Sequence, residues 1–151
     1  MKKNIFRIVL LFVLTLPFLA FADEARAEEC LSYEPVKVRL IGTIVEKTFP
    51  GPPEFESIEK GDRPETALIL KLKRPVCVKG NPEDELNSET EKNVGDLHLV
   101  IHGGEYVRYR RFVTKQVVAE GTLFHAITGH HHTKVLMEVI NIKPLGKENK
   151  K

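Results

Sequence analysis

The chain has 151 residues, with 23 Lys and Arg against 21 Asp and Glu, two cysteines and no tryptophan, a length that holds one domain with its own core. Residues 1–22 contain Lys2, Lys3 and Arg7 and no acid, so without them 20 cationic side chains face 21 acidic ones and the apparent charge of +2 becomes −1. A near-neutral surface excludes general electrostatic binding of nucleic acid.

The positive start precedes an apolar run from Ile8 to Phe21, and Ala20 and Ala22 form an A-x-A site. This order predicts a signal peptide over residues 1–22, with Ala25 and Ala27 offering an alternative cut after residue 27. The run is short for a span of roughly 20 residues, so no membrane span is expected after its removal. "AEE" before Cys30 is not a lipoprotein context. The expected location is periplasmic or secreted, with residues 23–29 as a short linker. In an exported chain an even cysteine count predicts a Cys30–Cys77 disulfide. Closing that loop stabilises by about 4 kcal/mol in the chain-entropy model.

Five segments then alternate with period two: "PVKVRLIGTIVEK" (35–47), "TALILKLK" (66–73), "DLHLVIH" (96–102), "KQVVAEGTLF" (115–124) and "TKVLMEVINI" (133–142). Gly42 interrupts the first and predicts a bulge or bend. Only "GEYVRYRRFV" (104–113) has helical spacing, through Tyr106, Tyr109 and Val113. Its "RYRR" reads as a solvated helix face. Residues 48–65 and 79–95 read as long loops, and residues 143–151 as a disordered tail. The order strand, strand, strand, helix, strand, strand predicts an all-β domain over residues 30–142. Its expected form is a small five-stranded OB-like barrel with a short helix between strands three and four.

Four motifs, "TFPGPPEFESI", "GDRPET", "RPVC" and "GTLFHAITGHHHTKVL", resemble a family of small exported bacterial proteins characterised only as a domain of unknown function. The resemblance runs from Cys30 to Ile142, with Lys134 standing where the pattern expects proline. It implies an exported single domain and supplies no activity, cofactor or catalytic residue to carry over.

Candidate sites fall in two places. His125, His130, His131 and His132 surround "AITG", where Thr128-Gly129 suits a turn with Gly129 at positive φ. If His125 pairs with His130, then His125, His130 and His132 share a face and suit one metal ion. If His125 pairs with His131, apolar residues oppose each other along the hairpin, with Leu123 against Thr133, Gly121 against Val135 and Ala119 against Met137. This second register is preferred, and it leaves His130 and His132 together for weak Zn²⁺ or Cu²⁺ binding. The competing account has the imidazoles hydrogen-bonding to the turn and fixing it. The loop 48–65 supplies Phe49, Phe55, Glu54 and Asp62. The outward positions Ile69, Lys71, Lys73, His98 and His102 lie on the face through which OB-like barrels bind. The alternative for the loop is a Pro-braced flap. Ser32, Ser57 and Ser88 lie outside any G-x-S-x-G context. The sequence thus predicts an exported, non-catalytic binding or interaction module with no cofactor beyond weak Zn²⁺ or Cu²⁺. Its partner would be an envelope protein or glycan. A Zn/Cu-binding protein or a histidine-based hydrolase is the alternative.

Overall fold

The computed structural model describes residues 29–146; the expected signal peptide, most of the expected linker and the last five residues of the expected tail lie outside them. Six strands and one short helix form in the order β1 (Leu31–Ser32), β2 (Lys37–Pro50), β3 (Pro64–Lys79), β4 (Glu91–Val100), α1 (Tyr106–Arg110), β5 (Gln116–His125) and β6 (Val135–Pro144). The five expected strands are present, and β1 is an addition: two residues that pair in parallel with Val78 and Lys79 of β3. Cys30 beside it is bonded to Cys77, as the even cysteine count predicted. The helix is shorter than its sequence pattern. β4 begins inside the expected second loop, and β6 runs to Pro144, past the expected domain end.

The sheet closes into an uneven ring. β2 pairs antiparallel with β3 and β5, β3 with β4, and β5 with β6, while β4 and β6 close the ring in parallel through only three residue pairs. Gly42 explains how one strand serves two neighbours. Residues 37–43 pair with β5, residues 42–50 pair with β3, and Gly42 is opposite both Val117 and Leu72. A Cβ there would strike the Lys71 carbonyl and meet the Leu70 side chain at 3.0 Å, so only glycine allows the close approach.

Alternation sends Leu40, Ile44, Leu68, Leu70, Leu97, Leu99, Val117, Leu123, Val135 and Met137 into one contiguous core. Tyr109 and Phe112, from α1 and the turn after it, join that core. The "RYRR" cluster is the expected solvated face. Arg110 forks onto Glu46 at 2.7 and 3.1 Å, and Arg108 meets Glu105 at 2.7 Å.

Three expectations about the histidine hairpin are corrected. His125 pairs with Val135, Leu123 with Met137 and Gly121 with Val139, so neither His125–His130 nor His125–His131 is formed. The connection is not a tight turn but a nine-residue loop, 126–134, closed by Ala126 N–H donating to the Lys134 carbonyl at 2.9 Å. The register is offset by four residues from the preferred one and a bulge at Glu120/Gly121 adds one more, so Ala119 faces Ile142 instead of Met137. Gly129 does not adopt positive φ; the glycines that do are Gly61, Gly103 and Gly104.

Candidate functional site: a ring column and a basic concavity on one face

The outward face of β2, β3, β4 and β6 carries a second apolar layer. Ile69 and Leu136 point away from the core by alternation, yet both are 0% exposed and stand outside the contiguous core. Ile69 is therefore not the solvent-facing position expected. What covers this face is the meeting of two loops, 51–63 and 126–134. Phe49 stacks on His132 with centroids 4.2 Å apart and planes 5° apart, and His132 stacks on His98 at 5.2 Å. Phe55 stands edge-on to His130 at 4.9 Å. A Cβ on Gly129 would lie 2.8 Å from the Phe55 ring, so this glycine serves close approach rather than turn geometry.

Polar contacts fix the column. Glu65 reaches His130 Nδ1 at 2.8 and 3.0 Å and His132 Nε2 at 3.4 Å. The His132 N–H donates to His98 Nδ1 at 3.4 Å, and the Thr133 hydroxyl accepts from the His98 N–H at 2.8 Å. Burial, helped by neighbouring His132 and His131, pushes the His98 imidazole down to about 4, with Glu65 opposing. His132 is lowered by burial against the pull of Glu65, and His131 by burial and its histidine neighbours. His131 is structural: its Nδ1 accepts the Ile127 N–H at 2.9 Å and its ring stands edge-on to Phe124.

Asp62 is buried and committed to its own loop. Its carboxylate accepts N–H groups of Glu54 at 2.9 Å, Glu56 at 2.7 Å and Ser57 at 2.7 Å. These donors, Glu54 first, hold the carboxyl below its ordinary value. Glu54 itself is exposed.

The other predicted residues are distributed unevenly. Lys71 and Lys73 are exposed on the same face, farther along β3. His102 lies beyond β4, 3.5 Å from Glu138, with both side chains exposed. Lys73 lines an open concavity of about 1090 Å³ with Arg39, Ile41, Leu72, Arg74 and Pro75, and Glu29 stands at it as the one acid against three cations. It lies where the β2–β3 ladder ends at Gly42–Leu72 and the strands part. Arg39 and Arg74 carried no sequence signal beyond their charge, because their approach depends on where that ladder stops.

The histidines do not make one centre. His130 and His132 belong to the column, while His125 turns to Glu91 at 3.2 Å and Glu89 at 3.8 Å. The reason is the long loop, which carries His130–His132 across β3 instead of stacking them opposite His125. Among the described residues no helix is long and apolar enough to cross a membrane. Neither the curated proteins nor the solved structures contain a match to the chain. Residues 96–143, which span the end of β4, α1, β5, the histidine loop and nearly all of β6, are similar to the family described as a domain of unknown function, DUF4431.

Proposed function

We propose that the chain is an exported, non-catalytic binding module of the cell envelope, built as an OB-like barrel. It holds an extended segment of an envelope protein or glycan along the outer face of β2 and β3. The pairing order supports the OB-like reading: three antiparallel strands in sequence, a helix, then two strands that return to both ends of the first three. The observation that carries the binding reading is the continuity of this face. The ring column stands at Phe49 and the basic concavity at Ile41, about 26 Å apart at strand rise. The disulfide fits a protein matured in an oxidising compartment.

Recognition would rest on preorganisation. Asp62 and the ring column hold the loop 51–63 in place before any ligand arrives, so little ordering entropy is lost on binding. Ile58 and Ile127, exposed on the two loops, offer apolar contacts, and Arg39, Lys73 and Arg74 offer charge to an anionic part of the ligand. The test is capture from envelope extract with the wild type and with a Lys73→Glu, Arg74→Glu variant. A partner retained by the wild type and lost by the variant is the expected result. Identical capture by both removes this face from the function.

A further inference from the structure

The far end of the histidine loop holds a separate cluster. His125 Nδ1 lies 3.1 Å from the Ala126 carbonyl oxygen. A carbonyl only accepts, so Nδ1 carries the hydrogen and Nε2 presents its lone pair to the other side. That side is acidic: Glu91 Oε1 is 3.2 Å away and Glu89 Oε2 is 3.8 Å away. One ligand atom from each of Glu89, Glu91 and His125 lies within 4.8 Å of the others. Two carboxylates facing an imidazole lone pair need positive charge between them, either a proton on Nε2 or a metal ion. The spacing suits the metal, because neighbouring ligand atoms around tetrahedral Zn²⁺ stand about 3.4 Å apart, between the two separations observed. The Nδ1–carbonyl bond is the outer-shell contact that orients a metal-bound histidine.

Tyr33 gives an independent indication. The residue is 4% exposed and its hydroxyl has no hydrogen-bond partner. Its ring stands edge-on to His125, centroids 6.3 Å apart. A buried hydroxyl without a partner beside a potential ion site calls for a further group, and a metal-bound water supplies one. Meanwhile Lys134 Nζ lies 3.1 and 3.3 Å from the Glu91 oxygens. The Lys134 side chain is 76% exposed and free to swing away.

We propose that Glu89, Glu91 and His125 form a three-ligand site for a divalent transition-metal cation of the Zn²⁺ type. Water fills the fourth position beside Tyr33, and Lys134 is the counter-charge that the ion displaces. One imidazole with two carboxylates favours such an ion over Ca²⁺ or Mg²⁺, which prefer all-oxygen sites. His130 and His132 take no part.

Calorimetric titration of ZnCl₂ into the exported, tag-free protein at about pH 7.5 tests this, since neutral imidazole is the ligand. One-site binding in the micromolar range is expected. Glu89→Gln weakens it about tenfold or more, and Lys134→Met tightens it about tenfold by removing the competing ammonium. Glu89 is 74% exposed at its side chain, so its variant leaves the fold intact. A His130→Ala, His132→Ala variant binds as the wild type does. The proposal is overturned by absence of heat in the wild type, by unchanged affinity in both Glu89→Gln and Lys134→Met, or by loss of binding in the double-histidine variant. None of these outcomes bears on capture through the Lys73–Arg74 face.

Discussion

Acidification from about pH 7.5 to about pH 5 removes stability through the ring column, and His98 carries the largest single share. Its imidazole has an ordinary value of 6.5 and sits at about 4 in the fold. The folded state thus favours the neutral ring, and the unfolded chain takes up the proton more readily. The stabilisation is complete above about pH 6.5, falls as pH drops through the window toward about 4, and is gone below it. At about pH 5 the unscreened loss is about 2 kcal/mol. His98 is only partly buried, so solvent screening reduces this to about 1 kcal/mol. His131 and His132, lowered in the same direction, add to the loss, and Glu65 opposes it. Urea unfolding of the wild type and of His98→Asn at the two pH values measures the share. Asparagine does not titrate, and its side-chain oxygen can still accept the His132 N–H. The variant is expected to lose about 1 kcal/mol less than the wild type on acidification. Equal losses, or a His98 ring resonance that titrates near 6.5, would refute the reasoning.

Replacing both cysteines, Cys30→Ser and Cys77→Ser, opens a loop with a sequence separation of 47 and lowers unfolding free energy by up to about 4 kcal/mol; a drop below about 1 kcal/mol in urea unfolding would show that β1 and the reduced chain restrict each other without the bond. Asp62→Asn removes the charge that gathers the Glu54, Glu56 and Ser57 amides. Hydrogen exchange should then speed at those amides while the β5 and β6 amides stay protected, and unchanged exchange in the loop would show that Phe55 and its neighbours hold it alone.

Strand identity was legible because each segment buries one face. Val117, Ala119 and Leu123 alternate cleanly, and all three are 0% exposed. Gly42 announced its bend, since a missing side chain inside an apolar strand has few other uses. The histidine register was not legible. Turn residues at Thr128-Gly129 promised a short connection, while the loop closes only at Ala126–Lys134, and the bulge at Glu120/Gly121, marked by a glycine as the Gly42 bend is, shifts the pairing once more. Alternation tells which face a residue occupies and not what lies above that face, so Ile69 read as exposed when two loops cover it. Asp62 read as a ligand because a loop carboxylate looks the same whether it faces solvent or its own backbone amides. The grouping of Glu89, Glu91 and His125 depends on the end of β5 meeting the loop before β4, where Asn87 Oδ1 accepts the His125 N–H at 2.9 Å. No short-range pattern encodes that meeting.

The parting of β2 and β3 beyond Gly42 also bears on solubility. Where a ladder stops, each strand offers main-chain donors and acceptors to any neighbouring chain, and such edges seed self-association. Here the flanks carry Arg39 on one side and Lys73, Arg74 and Pro75 on the other. A second copy laid into the gap would bring three cations against three, with Glu29 as the one offsetting acid on each side, and Pro75 has no N–H to give. The split can therefore stay open to a ligand of opposite charge while rejecting its own kind.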